Sequence, residues 1–343
     1  MNTFSRFSLS ALGLLAILVL TLIAFHLPLL ESLRLLSHGA FGDKFGWSRT
    51  AVKSIPLLLT GLGMVVAWRA GMYNIGGEGQ FVVGGVLGCV VAKAMLKAAS
   101  LPPFLVTIGI LAGCAVGGAV WAYLAGWLYV KRGVEVVIST ILLNFVALQL
   151  LGWAVSGPLQ EGKGQLPLTD LLPDAVMLPR FDRQTDLHAG VFLAIVMAFI
   201  VWGFLYFTKA GFRLRVVGDN AQVARANRID AKRMQLVAML ISGALCGLAG
   251  GVEYTGTAGQ LGSGFSQQWG FIGIPVALLG GLHPLLVMLS AGYFGALFAG
   301  SENLARFTPA GTTLIYVIQA AAVLGFVGVR ALMRRKPLPT EAA

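Results

Sequence analysis

A chain of 343 residues that is 57% hydrophobic and only 11% charged, with a mean hydropathy of +0.81, is not a soluble globular protein; such proteins carry about 25% charged residues to cover their surface. Its formal net charge of +11 does not mark a nucleic-acid binder, because no basic stretch is interleaved with the aromatics on which bases stack. Apolar runs long enough to cross a hydrocarbon layer of roughly 30 Å recur throughout, and glycines sit inside them, where small residues let helices approach closely. The expected fold is an all-α, polytopic membrane helix bundle, one transmembrane domain over 1–343.

In chain order, hydropathy predicts about ten membrane segments, near 10–30, 51–69, 74–96, 103–130, 134–156, 189–208, 234–255, 267–281, 284–301 and 311–331. The first, flanked by Arg6, is long for a signal peptide and lacks a clean small-residue cleavage pattern, so it is expected to be retained. Cys89, Cys114 and Cys246 fall inside apolar segments at no metal-ligand spacing and read as small buried hydrophobes.

Two segments are interrupted. Around 71–80 the chain reads GMYNIGGEGQ, and around 256–281 it reads GTAGQLGSGFSQQWGFIGIPVALLGG. Irregular backbone at membrane depth survives only when buried in protein or lining a water-filled cavity. Corresponding breaks in two halves point to a transport pathway between repeats; two loops permitting close helix packing would give the same pattern. Glu78 and Glu253 lie beside the breaks, Asn74 and Gln80 flank Glu78, and Asn144 falls at similar depth. Polar groups there are costly and are candidates for a substrate pathway, although helix–helix hydrogen bonding uses the same residue types. Arg69 and Glu135 are expected to snorkel from span ends.

Charge sets the orientation. The 209–233 loop carries Lys209, Arg213, Arg215, Arg225, Arg228, Lys232 and Arg233 against Asp219 and Asp230; the turn at Lys131 and Arg132 and the basic tail fall on the same side by span parity. That side should be cytoplasmic, with both termini. The opposite long loop, 157–188, is richer in acids and contains Pro158, Pro167, Pro173 and Pro179, which oppose a long helix. Within 209–233, Gly218 is expected to break the chain and Asp219 to cap a short helix reaching about Arg228, with Gln222 at its third position. Ala221, Val223 and Ala224 would give that helix a small apolar face, suited to a groove on a partner protein.

No catalytic signature accompanies these features. Gly157-Pro-Leu-Gln-Glu-Gly-Lys-Gly164 has phosphate-loop spacing but ends in glycine where a hydroxyl must reach magnesium. The four histidines are scattered, with no His-Glu-x-x-His and no Gly-x-Ser-x-Gly.

The run GFRLRVVGDNAQVARANRIDAKRMQL resembles the coupling-helix region of permeases in the branched-chain amino acid/ribose group of ABC importers. NIGGEGQF at 74–81 is similar to a signature of that group's nucleoside branch, and GFIGIPVALLGGLHPL at 270–285 resembles a later segment of it; the likeness spans roughly 50–330. At Asn227-Arg228-Ile229 the chain departs from the small-Gly-Ile common in that group. The resemblance implies a permease in a bacterial inner membrane, itself neither an enzyme nor a cofactor binder. ATP would be used by a separate cytoplasmic ATPase subunit contacting Gly218, Asp219, Asn220, Ala221, Ala224 and Arg225. It further implies a second permease, identical or paralogous, and an extracytoplasmic substrate-binding protein. The implied cargo is nucleosides, with simple sugars or branched-chain amino acids as alternatives. From another class, an ion-coupled carrier resting on Glu78 and Glu253 stays open.

Overall fold

The computed structural model describes residues 26–97 and 101–307 except 163 and 183, with isolated residues between 16 and 23 and at 317, 320 and 321. The described residues are helical with irregular connections and only isolated β-bridges. Among the described residues, seven helices are long and apolar enough to cross a membrane: α2 (Lys44–Arg69), α3 (Gly77–Lys97), α4 (Pro103–Arg132), α5 (Val136–Val155), α6 (Gly190–Phe207), α9 (Ala231–Glu253, continued by a π-turn to Ala258) and α11 (Pro284–Phe307). The shorter helices are α1 (Leu29–Phe41), α7 (Lys209–Asp219), α8 (Ala221–Ala226) and α10 (Trp269–Leu279).

Against the sequence expectation, seven of the ten predicted segments appear as full-length spans, and 267–281 is the short α10. At 11 residues α10 rises only about 16 Å, half a bilayer. The predicted segments near 10–30 and 311–331 lie largely outside the described residues. Helix α1 was not foreseen; it begins after Pro28, which cannot continue a preceding helix.

The chain divides into two compact units. In the first, residues 1–50 with 296–343, α1 packs on the last turns of α11. There Asn303 Nδ2 donates to the Leu35 carbonyl at 2.9 Å, and Thr50 Oγ1 donates to the Ala40 carbonyl at 2.9 Å. The second unit, 51–295, is built around α3, which is packed by α4, α5, α9 and α10. These helices approach closely because glycines face one another. A Cβ on Gly84 would meet Gly247 Cα, and one on Gly243 would fall on Gly118. By contrast, α5 and α6 leave Leu142, Phe145, Trp153, Phe192 and Phe199 exposed, as lipid-facing helices do.

The ends of the second unit differ. Helix α9 and its π-turn span 28 residues, roughly 40 Å. The basic 209–230 loop lies at its start, and the loop 157–188 packs on its far end, where Leu178 N donates to the Thr255 carbonyl at 2.8 Å. The two long loops therefore occupy opposite ends of the bundle, as span parity requires.

Candidate functional site: two interrupted helices and a basic loop

The chain leaves helical geometry between Arg69 and Gly77. Gly71 turns it with φ of +74°, a conformation that costs a residue with a Cβ. The backbone groups freed by this break must be satisfied inside the protein, and side chains from α2, from α5 and from Asn74 itself meet them. Its Oδ1 accepts from Gly76 N at 2.8 Å and from Gln80 Nε2 at 3.0 Å. Its Nδ2 donates to Gln80 Oε1 and Ser242 Oγ, both at 3.0 Å. Trp68 Nε1 donates to the Asn74 carbonyl at 3.1 Å. From α5, Asn144 Oδ1 accepts from Gly79 N at 2.8 Å, its Nδ2 donates to the Ile75 carbonyl at 3.0 Å, and Thr140 Oγ1 accepts from Ile75 N at 3.2 Å. Asn74, Gln80, Thr140, Asn144 and Ser242 are all buried.

The second break follows the π-turn and runs through 259–268 to α10. It is held by main chain from the 157–188 loop: Thr169 N donates to the Leu261 carbonyl and Leu172 N to the Gly259 carbonyl, both at 2.9 Å. Leu261 N returns a bond to Thr169 Oγ1 at 2.9 Å. His188, 1% exposed, closes this clasp with its ring against Gly190 and Gly256. Its Nδ1 accepts from Gly190 N at 3.1 Å. Burial, and secondarily the Arg180 cation, push the His188 pKa down to about 4.

Glu78 joins the two breaks. Its Oε2 accepts from Gly270 N at 3.0 Å and its Oε1 accepts from the Ser266 hydroxyl. A carboxylate at the first turn of α10 meets both the unpaired N–H groups and the positive end of the helix dipole. The approach requires glycines on both sides: a Cβ on Gly270 would strike Glu78 N, and one on Gly77 would lie 3.1 Å from the Gly270 carbonyl.

Four of the five pathway residues anticipated from sequence, Asn74, Glu78, Gln80 and Asn144, thus come together around the breaks. Glu253 does not join them. It is buried at the end of α9, and the Lys53 ammonium lies 5.7 Å from the centre of the Trp269 ring. Ser242, Thr140, Ser266 and Lys53 were missed; single hydroxyls and one lysine in apolar runs carry no spacing signal. Where Asn74 and its neighbours stand, their polar groups are spent on protein partners.

At the other end, Thr208 Oγ1 accepts from Gly211 N at 3.0 Å and starts α7. The capping expectation needs correction: Asp219 ends α7, and the neighbouring Asn220 caps α8, its Oδ1 accepting from Gln222 N at 2.9 Å and Val223 N at 3.1 Å. Asn220 is extended at φ −160°, which aims its side chain at the new helix, whereas Asp219 is still helical. Gly218 does not break the chain; it lies inside α7, where a Cβ would fall on the Arg69 carbonyl. Helix α8 ends at Ala226, short of Arg228, which takes a left-handed φ of +58°. Ala224 is fully buried against Val217 and Ala231, so the small face anchors α8 to its own chain. The outward face shows Gln222, Val223, Arg225 and Asn227. A groove of about 700 Å³ beside it is lined by Phe207, Lys209, Phe212, Arg213, Val223 and Ile229 among others.

Comparison with known proteins agrees with this anatomy. Residues 46–328 match the family described as the branched-chain amino acid transport system permease component. The chain is 31% identical over 327 residues to the glucose ABC transporter permease protein TsgB13 of Haloferax volcanii, covering 92% of this chain and 85% of that one. It is 32% identical over 295 residues to the guanosine ABC transporter permease protein NupP of Bacillus subtilis, covering 84% and 82%. To the nucleoside ABC transporter permease protein NupB of Lactococcus lactis it is 28% identical over 306 residues, covering 80% and 77%. A permease component of this kind works with an ATPase and a substrate-binding protein and is not itself an enzyme. With interrupted membrane helices, a capped basic loop and a match over most of its length, the chain belongs to the branched-chain amino acid transport system permease family, as a multi-pass permease component of an ABC transporter.

Proposed function

We propose that this permease imports nucleosides across a bacterial inner membrane, with both termini and the 209–233 loop in the cytoplasm. The observation that carries the transport reading is the clamp by Glu78, which ties two interrupted helices together in the middle of the bundle. Support for nucleosides comes from relatives described as guanosine and nucleoside permeases and from the Asn-Ile-Gly-Gly-Glu-Gly-Gln run that builds the clamp. The excess of Lys and Arg in the 209–233 loop supports the orientation. The ATPase would seat against α7 and α8, in the groove bordered by Phe212, Arg213 and Val223. A second permease and an extracytoplasmic binding protein complete the assembly. In alternating access, the helices beside Asn74, Gln80, Asn144 and Glu253 would part to open the path, exchanging their mutual hydrogen bonds for substrate hydroxyls and base edges.

The test is uptake by the complex reconstituted in liposomes, with guanosine, uridine, glucose and leucine offered in turn. ATP-dependent uptake of the nucleosides is expected. Uptake of glucose or leucine alone would overturn the cargo, and uptake driven by a proton gradient without the ATPase would overturn the class.

A further inference from the structure

Arg69 ends α2, where a charged side chain at a span terminus would ordinarily reach for water. It turns instead onto main chain far away in sequence. Its Nε donates to the Leu282 carbonyl at 3.0 Å, and its Nη2 lies 3.5 Å from the Gly281 carbonyl. Those carbonyls belong to the turn that closes α10. Leu282 N donates to the Ala277 carbonyl at 3.0 Å and Gly281 N to the Leu278 carbonyl at 3.0 Å, the paired pattern that ends a helix with a left-handed residue. The turn is strained: after Gly281 at φ +62°, Leu282 is also left-handed at φ +56°, which side chains with a Cβ avoid. A guanidinium at the C-terminal end of α10 also complements its dipole.

The same few residues meet the basic loop. A Cβ on Gly218 would fall on the Arg69 carbonyl and within 2.9 Å of Gly71 N, so α7 rests on the backbone of Arg69 itself. Arg215 of α7 lies 4.8 Å above the Tyr206 ring, and that ring is 5.3 Å from His283, the residue after the strained turn. Arg69 therefore touches the start of the first break through its own chain, the closing turn of α10 through its side chain, and the basic loop through its carbonyl. Charge at a span end needs no such geometry, and a snorkelling arginine would not choose a strained turn as its partner.

We propose that Arg69 is the positioning residue that makes both interrupted helices follow the basic loop, so that closure of the ATPase against α7 and α8 is delivered to α3 and α10 together. This rests on the transport reading above. Without the guanidinium, α7 would still pull on Gly71, but α10 would no longer be tied to it.

The experiment compares uptake per ATP hydrolysed for wild type, Arg69→Gln and Arg69→Lys in the reconstituted complex with its ATPase, partner permease and binding protein, using guanosine as the probe. Arg69→Gln should keep hydrolysis stimulated by the binding protein within about twofold while uptake falls by about tenfold or more, within the range of ordinary coupling energies. Arg69→Lys, which keeps a donor and the charge, should recover a substantial part of the loss. A residue that only supports the fold would lower uptake and hydrolysis together, and that result overturns the proposal, as does wild-type uptake per ATP in Arg69→Gln. If Arg69→Gln fails to assemble, the same ratio is read in Arg69→Gln combined with Leu282→Gly, which relieves the left-handed strain. Continued failure of that pair to assemble assigns Arg69 to folding and overturns the proposal too. Absence of ATP-driven uptake in wild type would instead remove the transport reading.

Discussion

The two breaks in this bundle face one problem, freed backbone groups where no water can satisfy them, and solve it differently. The first, between Arg69 and Gly77, is answered by side chains: Asn74 from within, Trp68 from α2, Asn144 and Thr140 from α5, with Ser242 of α9 bonded to the Asn74 amide. The second, through 259–268, is answered chiefly by main chain from the 157–188 loop, with His188 as its wedge. A break held by side chains is specified by a few residues and is intolerant at each of them. A break held by main chain tolerates side-chain changes but depends on the loop staying in place. The first therefore behaves as a rigid joint and the second as a detachable one.

The largest expected effect lies in the first break. Asn74→Ala removes four hydrogen bonds and strands the partners Gly76 N, Gln80 and Ser242 in a dry interior. At about 1–3 kcal/mol for a stranded group, with partial relaxation, the cost should be roughly 3–5 kcal/mol. It would be read as a loss of heat-resistant, monodisperse protein in detergent. A variant as heat-resistant as wild type would mean that the first break is no more specified by side chains than the second.

The second break should respond to pH where the first does not. The His188 pKa lies at about 4, below the ordinary 6.5, so the ring is neutral when clasped and charges more readily when released. The clasp is at full strength above pH 6.5 and weakens as pH falls toward 4, by about 3 kcal/mol in total at about 1.4 kcal/mol per unit. Hydrogen exchange of residues 168–190 should accelerate over that window, with the amides of 74–80 unchanged; equal acceleration in both would erase the distinction.

The smallest effect tests the strain at the basic loop, outside both breaks. Arg228 is exposed and left-handed at φ +58°, so Arg228→Gly should stabilise by about 1 kcal/mol. A gain in midpoint temperature without loss of uptake is the expected reading; destabilisation would mean that the Arg228 side chain contributes more than its backbone costs.

Much of this was legible in the sequence because it is local. The glycine- and amide-rich runs announced breaks, since glycines beside Asn74, Glu78 and Gln80 oppose a continuous apolar helix there. The basic loop announced a capped helix, though the cap shifted by one residue: Asp219 and Asn220 have similar capping tendencies, and only the fold determines which one is extended. The partners of Glu78 were not legible, because Ser266 and Gly270 lie 188 and 192 residues away and no spacing rule connects them. Arg69 was read as a snorkelling end residue for the same reason, its acceptors being more than 200 positions distant.

By itself, then, the sequence determined the class of the molecule, most of its spans, where the helices fail and which loop is basic, all consequences of hydropathy, charge and glycine placement within a short window. The tertiary structure alone decided that the two failures meet at Glu78 and that the face around Ala224 turns inward. Both depend on which helices lie side by side, and that is set by glycine-lined close packing summed over many pairs rather than by any one segment.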